Sequence, residues 1–163
     1  MTDAPNIRPA TPTDHDAIWS MLEPVFRAGD TYAIDPDIPC AEALAYWTAE
    51  HAYIAEDGGQ PLGTYYIRRN QKGGGSHVCN CGYITLRGAE GRGVARAMLA
   101  HSLKEAKRLG FEAMQYNFVL ASNIRAVDTW KRAGFAEIGR IPRAFRLPDG
   151  TTTDALVLHR FLD

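Results

Sequence analysis

The segment from Tyr83 to Leu99 constrains the fold of this chain most, because it joins a strand, a glycine-rich turn and an amphipathic helix. Glycines at positions 88, 91 and 93 allow backbone N–H groups to point into one concavity. The helix that begins near Gly93 adds its free first-turn amides and the positive end of its dipole. The pattern predicts a phosphate or pyrophosphate site, to which Arg92 and Arg96 add charge; a plain loop with glycine caps is the alternative.

Two common phosphate-binding motifs do not fit this segment. A P-loop requires G-x-x-x-x-G-K-[ST], and no Lys-Ser or Lys-Thr pair follows these glycines. A dinucleotide fingerprint requires G-x-G-x-x-G, but Gly91-x-Gly93 is followed by Arg96 where the third glycine would stand. The glycines at 73–75 precede no helix, so we expect a hairpin loop there.

The rest of the chain predicts an α/β fold. Apolar residues at helical spacing run from Ile18 to Phe26, and a second helix is predicted over 41–49. Strands are predicted at 7–10, 51–56, 62–69, 77–86, 113–120, 136–141 and 155–161. Gly-Phe pairs at 110–111 and 134–135 end the two later helices. We expect a single domain over residues 1–163, with one sheet and helices on both of its faces.

Composition argues against several kinds of partner. The net charge of −1, with no basic stripe, argues against nucleic acid. No run approaches roughly 18 apolar residues and the N-terminus lacks a signal-peptide core, so we expect no membrane segment and a cytoplasmic protein. The three cysteines, Cys40, Cys79 and Cys81, are an odd number and should stay reduced. Too few ligands surround Cys79 and Cys81 for a metal site, so no metal is predicted.

Two motifs in this chain resemble those of the GNAT superfamily of N-acetyltransferases. The acyl-CoA turn of that family, Q/R-x-x-G-x-G/A, aligns with Glu90-Gly91-Arg92-Gly93-Val94-Ala95, where Glu90 departs from the pattern. The next helix of the family reads N-x-x-A-x-x-x-Y-x-x-x-G-F. At those spacings this chain has Asn123, Ala126, Trp130, Gly134 and Phe135, so that a tryptophan replaces the tyrosine.

The resemblance implies a GNAT fold: a single mixed, mostly antiparallel sheet, splayed between the strand that ends at Leu86 and the strand that begins at Ala113. It also implies acetyl-CoA as co-substrate, with its pantetheine arm in the splay. The acetyl carbonyl would accept a backbone N–H near Ile84 or Thr85, close to a bulge. The cofactor-binding residues that it implies are Ile84, Thr85, Leu86, Gly91, Arg92, Gly93, Val94, Ala95, Arg96, Asn123 and Trp130.

The implied chemistry is attack of a neutral amine on a thioester, with Thr85 at the oxyanion. The indole of Trp130 cannot protonate the leaving thiolate. Tyr116 is one replacement acid; a purely structural Tyr116 and direct proton return from the amine are the alternatives. Candidate bases are Glu23, Asp30 and His77. The predicted substrate-binding residues are Glu23, Asp30 and Tyr32.

We therefore expect an N-acetyltransferase that acts on the primary amine of a small molecule. The acidic Glu23 and Asp30 favour a cationic acceptor. Three alternatives stay open: a protein N-terminus or lysine as acceptor, a non-catalytic acyl-CoA sensor, and a nucleotide-binding protein. A homodimer is an assembly that the resemblance allows.

Overall fold

The computed structural model describes residues 3–163. The strands are β1 (Asn6–Pro9), β2 (His51–Asp57), β3 (Gln60–Arg69), β4 (Val78–Thr85), β5 (Ala113–Leu120), β6 (Ala136–Arg146) and β7 (Thr152–Phe161). The α-helices are α1 (His15–Ala28), α2 (Cys40–Trp47), α3 (Val94–Arg108) and α4 (Ile124–Arg132). The glycines at 73–75 form a short 3-10 turn between β3 and β4, so this segment is a loop, as predicted.

The seven strands form one sheet in the order β1-β2-β3-β4-β5-β7-β6. All neighbouring strands are antiparallel except β4 and β5, which are joined through the crossover helix α3. These two strands pair only at Val78↔Ala113 and Cys79↔Met114 and then separate. The predicted mixed, mostly antiparallel sheet that splays between its central strands is therefore confirmed.

Helices cover both faces of the sheet, as predicted. Cys79 and Cys81 of β4 pack in a cluster with Met98 of α3. Ile84 of the same strand packs in a second cluster with Trp47 of α2 and the apolar face of α1. Side chains alternate along β4, so the odd-numbered residues face the first cluster and the even-numbered residues face the second.

Glycines end the helices where the sequence predicts. Gly110 and Gly134 have left-handed φ angles of 94° and 91°. The N–H groups of Phe111 and Phe135 then donate to carbonyls of the preceding helices, at 3.0 and 3.1 Å. Each phenylalanine also packs against the cluster beneath α3 and α4, so the same pair of residues stops the helix and anchors the strand that follows.

The bulge expected near Ile84 and Thr85 is absent, and that prediction is wrong. The β3–β4 register runs without a shift from Gly63↔Thr85 to Arg69↔Cys79. The irregularity lies instead in β5, where the pairing with β7 shifts between Tyr116 and Val119. One extra residue on β5 bends that strand, so β5 turns away from a regular β4.

The last two strands are longer than predicted. β6 continues beyond Ile141 to Arg146, and β7 begins at Thr152 rather than at residue 155. The extension passes Pro142, which cannot donate to a regular ladder. A register shift between Ile141 and Phe145 accommodates the proline and lets the pairing resume.

Within residues 3–163, no helix is long and apolar enough to span a bilayer, and no cluster of His, Cys, Asp and Glu side chains could hold a metal ion. The three cysteines are free thiols: Cys40 is exposed, and Cys79 and Cys81 are buried. Burial raises the pKa of the Cys81 thiol, so this group stays protonated at neutral pH.

Candidate active site

The opening between β4 and β5, which we call the β4–β5 cleft, leaves one edge of β4 without a strand partner beyond Cys79. At the two ends of the β3–β4 ladder, Leu86 N–H donates to Leu62 O (2.7 Å) and Asn70 N–H donates to Val78 O (2.8 Å). Hydrogen-bonded pairs alternate along an antiparallel ladder. The even-numbered residues of β4 therefore direct their backbone groups to β3. The odd-numbered residues direct theirs to the β5 side, which is the open cleft beyond Cys79.

This alternation distinguishes the two backbone donors predicted for an acyl carbonyl. Ile84 pairs with Thr64, so its N–H is used within the sheet. The N–H of Thr85 faces the cleft. Two residues earlier, the backbone of Tyr83 also faces the cleft, and there the phenol of Tyr32 donates to Tyr83 O (3.0 Å) and accepts from Tyr83 N–H (3.1 Å).

A cavity of about 800 Å³, the glycine-loop cavity, opens beside the glycine-rich turn. Gly91 and Gly93 have φ angles of 79° and 78°, a region that residues with side chains rarely adopt. No side chain caps the N-terminus of α3. The first-turn N–H groups of α3 therefore have no partner within the helix, and they add to the positive end of its dipole. The resulting site is suited to an anion.

Side-chain charge in the glycine-loop cavity is also positive on balance. Arg96 of α3 and Arg125 and Arg132 of α4 line its walls. One carboxylate, that of Glu90, lies there too, but it accepts the N–H of Gly88 at 2.6 Å. Three guanidinium groups beside free backbone amides match a ligand with several phosphate charges.

A second cavity of about 310 Å³, the aromatic cavity, lies at the other end of the cleft. Its aromatic walls are Tyr32, Tyr46, Tyr66, Tyr83, Tyr116, Phe118 and Trp130. None of the described residues that line it is Asp, Glu, His, Lys or Arg. Asn123, the N-cap of α4, lines both cavities, so the two spaces meet at that residue.

Three hydroxyl groups form a chain of hydrogen bonds beside the aromatic cavity. The Tyr116 hydroxyl oxygen lies 3.0 Å from that of Tyr83, which lies 2.7 Å from Ser102 Oγ. Ser102 donates its own hydrogen to the carbonyl of Leu99 (2.8 Å). Ser102 therefore accepts from Tyr83, and Tyr83 accepts from Tyr116. Burial raises the pKa of both phenols, so at neutral pH they are proton donors and not bases.

Most of the predicted cofactor-binding and substrate-binding residues line one of the two cavities. Those at the glycine-loop cavity are Thr85, Gly91, Gly93, Val94, Ala95, Arg96 and Asn123. Those at the aromatic cavity are Tyr32, Tyr116, Asn123 and Trp130. Three predicted cofactor-binding residues lie outside both: Ile84 is buried against α1 and α2, Leu86 bonds to β3, and Arg92 pairs with Asp57 at 3.3 Å. The predicted substrate-binding residues Glu23 and Asp30 also lie outside both.

The three predicted bases lie outside both cavities. Glu23 is exposed on α1 and pairs with Arg27 at 3.7 Å. Asp30 accepts the hydroxyl of its neighbour Thr31 at 3.0 Å, and His77 is exposed just before β4. Their assignment as bases stays a prediction without a supporting contact, and the acidic residues give no reason to expect a cationic acceptor.

Sequence reasoning missed two sets of lining residues. Arg125, Thr129 and Arg132 are spaced by four and three residues on α4, so their common face was available from helical spacing. Tyr46 of α2 and Tyr66 of β3 carried no such signal. They belong to elements far apart in sequence, and each resembles an ordinary core residue of its own element.

Residues 16–135 match the model of the acetyltransferase (GNAT) family. A GCN5-related N-acetyltransferase from Kribbella flavida is 33% identical, with a TM-score of 0.93 and coverage of 99% of each chain. A phosphinothricin acetyltransferase from Sinorhizobium meliloti, solved with acetyl-CoA, is 18% identical. It superimposes with a TM-score of 0.85 over 99% of this chain and 89% of that one, which shows a common fold.

The N-acetyltransferase aca1 of Schizosaccharomyces pombe is 36% identical over 86 residues, which are 53% of this chain and 41% of that protein. The chain thus spans about two fifths of the length of this curated relative. The family match covers most of the described chain, and the Kribbella structure is similar from end to end. The chain belongs to the GNAT acetyltransferase family.

Proposed function

We propose that this protein is an acetyl-CoA-dependent N-acetyltransferase that acetylates the primary amine of a small molecule. The observation that carries the proposal is the junction of two unlike cavities at Asn123. One cavity offers free amides and arginines to an anion, and the other offers uncharged, largely aromatic walls. An acyl carrier with phosphates at one end and a reactive thioester at the other fits this division.

The glycine-loop cavity would hold the phosphates of acetyl-CoA. The backbone amides of the turn and the first turn of α3 supply neutral donors, and Arg96, Arg125 and Arg132 supply charge. When bound, acetyl-CoA supplies a thioester as the acyl donor. The Sinorhizobium protein with the same fold was solved with this ligand, which supports the choice among phosphate compounds.

Two groups in the β4–β5 cleft fit the acyl-transfer step. The N–H of Thr85 faces the cleft and can donate to the acyl oxygen as negative charge develops there. The phenol of Tyr116 lies at the aromatic cavity beside Trp130, with ring centroids 4.8 Å apart. It would protonate the departing sulfur once its hydroxyl hydrogen turns from Tyr83 to the cleft. Tyr116 would then act as the general acid, a role that the indole of Trp130 cannot fill. The presence of such an acid favours an enzyme over a sensor.

The absence of Asp, Glu and His among the described residues lining the aromatic cavity bears on the nucleophile. No side chain there can take a proton from an ammonium group at neutral pH. The acceptor would therefore react as the neutral amine, having lost its proton to solvent on entry. The nitrogen attacks the acyl carbon, the C–S bond breaks, and the nitrogen loses one proton while the sulfur gains one.

The volume of the aromatic cavity, about 310 Å³, favours a small acceptor over the flexible end of a protein chain. The Sinorhizobium protein is named for a small-molecule acceptor, phosphinothricin, which is consistent with this choice for the fold. A protein N-terminus or lysine is the alternative within the same chemistry.

We further propose that the chain acts as one domain in the cytoplasm, where its free thiols would stay reduced. A homodimer stays a prediction.

The proposal is tested by measuring CoA release with acetyl-CoA and a panel of small amines, with mass spectrometry of the products. We expect CoA release that depends on the amine and a product heavier by one acetyl group. Acetyl-CoA, but not ATP or NAD, should also raise the melting temperature. Binding of acetyl-CoA without amine-dependent CoA release would indicate a sensor, and acetylation of peptides alone would indicate a protein substrate.

A further inference from the structure

We infer that Arg68 binds a carboxylate of the acceptor, so that the preferred substrates are amines that also carry a carboxylate, as amino acids do. This inference rests on the proposed function and deepens it by naming a substrate class. It starts from the position of Arg68 on β3, beside an aromatic cavity whose lining residues bear no charge.

Two tyrosines of the aromatic cavity hold the Arg68 guanidinium in place. Its central carbon lies 4.0 Å from the ring centroid of Tyr46 and 4.3 Å from that of Tyr66. The two rings are nearly perpendicular, at 82°, so the guanidinium sits in the corner between them. One N–H donates to the carbonyl of Tyr46 at 3.2 Å. The guanidinium is thus fixed, with most of its five donors not used by that bond.

Arg68 also differs from its neighbour Arg69 in how its charge is balanced. Arg69 forms an ion pair with Glu50 at 2.9 Å. Over residues 3–163, no Asp or Glu lies within ion-pair distance of Arg68. A half-buried guanidinium that is held rigidly and lacks a carboxylate partner is suited to binding an anionic ligand.

The Tyr66 ring connects Arg68 to the reacting end of the cleft. A Cβ on Gly82 would lie 2.6 Å from an atom of that ring, so the ring lies directly over β4. The next residue is Tyr83, whose backbone faces the cleft. Burial raises the pKa of the Tyr32 phenol that bonds to this backbone, and the charge of Arg68 acts in the opposite direction. The guanidinium therefore lies close enough to the Tyr32 phenol, which lines the aromatic cavity, for its charge to act on that phenol.

A carboxylate on Arg68 and an amine near Tyr83 would belong to one compact molecule. The Tyr66 ring contacts both the guanidinium of Arg68 and Gly82, the glycine that precedes Tyr83. Because one ring contacts both groups, a short spacer between amine and carboxylate would span the distance, and the aromatic walls favour an apolar side chain. Aromatic amino acids are therefore the first probes.

The test compares L-phenylalanine with phenethylamine, which differ by the carboxylate alone, in the wild type and in Arg68→Gln, Arg68→Lys and Arg69→Gln. In Arg68→Gln, we expect kcat/KM for phenylalanine to fall by about tenfold to a hundredfold, as for a lost hydrogen bond to a charged group. The value for phenethylamine should change little. Arg68→Lys should recover part of the loss, and Arg69→Gln, the matched control, should keep the preference for phenylalanine.

A second measurement needs no turnover. In the presence of CoA, 3-phenylpropionate should bind the wild type and Arg69→Gln by calorimetry, and it should bind Arg68→Gln much more weakly. If binding depends on Arg68 but no amine is acetylated, the carboxylate site stands and the proposed function fails. If both amines lose activity equally in Arg68→Gln, or if 3-phenylpropionate does not bind the wild type, Arg68 only supports the cavity wall and the inference is overturned.

Discussion

A change of charge at Gly93 tests the phosphate site most directly. Gly93 has a left-handed φ of 78°, and a Cβ built there meets no atom within 4 Å. Asn and Asp tolerate this conformation better than other residues that carry a side chain, and they are nearly identical in size. Gly93→Asn and Gly93→Asp therefore introduce similar strain and differ mainly by one negative charge at the start of α3.

The expected size of the effect follows from Coulomb's law. Two unit charges about 4 Å apart repel by about 1 kcal/mol in bulk water and about 4 kcal/mol at the effective dielectric of a protein surface. The turn is exposed on one side and faces the cavity on the other, so an intermediate value applies. We expect acetyl-CoA to bind Gly93→Asp about tenfold to a hundredfold more weakly than Gly93→Asn, or about 1.4 to 2.7 kcal/mol.

Titration calorimetry with acetyl-CoA measures this difference at low and at high salt. The difference between Asp and Asn should shrink as salt rises, because the turn is open to solvent. Melting temperatures of the two variants without ligand should agree, since the backbone strain is similar. Equal dissociation constants for two folded variants would show that no phosphate lies at the N-terminus of α3, and the placement of acetyl-CoA would be wrong.

Three further predictions concern the aromatic cavity. Tyr116→Phe should lower kcat by about a hundredfold and leave acetyl-CoA affinity unchanged if this phenol protonates the sulfur; unchanged turnover would make Tyr116 a core residue. For acceptor amines of different basicity, kcat/KM should rise with pH up to the pKa of each amine, and Glu23→Gln should not change this pH profile. If all amines instead gave pH profiles with the same midpoint below neutral pH, a base on the protein would be indicated. Trp130→Phe should keep most of the activity. Trp130→Ala should lose about 3 kcal/mol of stability on thermal denaturation, because the indole packs on Tyr83, Tyr116 and Phe135. A Trp130→Phe variant that folds but is inactive would assign a catalytic role to the indole N–H.

The fold was predictable where local signals agree with the tertiary structure. Gly110 and Gly134 end helices because the left-handed conformation carries little cost for glycine, and this preference does not depend on distant residues. The splay of the sheet was predicted only from the resemblance of two motifs to those of the GNAT superfamily, since no local pattern encodes how far two strands separate. The extension of β6 past Pro142 was not predictable, because the register shift that accommodates the proline is a property of the pairing with β7.

The shape of the glycine-rich turn beside the glycine-loop cavity was also predictable from the sequence, because the turn is one continuous segment. Gly91, Gly93 and the first turn of α3 are neighbours along the chain, so their amides converge whatever the rest of the molecule does. The choice between Ile84 and Thr85 was not readable. It depends on the register of β4 against β3, and a shift by one residue would exchange the backbone groups that face the cleft.

The acceptor side could not be assembled from sequence. Tyr32 follows α1, Tyr46 lies on α2, Tyr66 on β3 and Tyr116 on β5, and only the tertiary fold brings their rings together. Each is a partly or fully buried aromatic residue with ordinary spacing in its own element. The acidic residues near α1 suggested an acceptor site in the sequence. In the structure, however, Glu23 lies on the exposed face of α1 and pairs with Arg27.

The proton balance of the proposed reaction connects the hydroxyl chain with the uncharged lining of the aromatic cavity. Amide formation from a neutral amine releases one proton from nitrogen and requires one at sulfur. The chain from Tyr116 through Tyr83 to Ser102 ends at the carbonyl of Leu99, which can accept a hydrogen bond but cannot supply a proton. After Tyr116 gives its proton to sulfur, it must therefore recover one from the cavity side, where the acylated nitrogen holds the proton that has to leave. A site that works in this way would return the proton of the acceptor to the leaving group through one phenol. In the proposed mechanism, that route would let transfer proceed although no described residue lining the aromatic cavity is a carboxylate or a histidine.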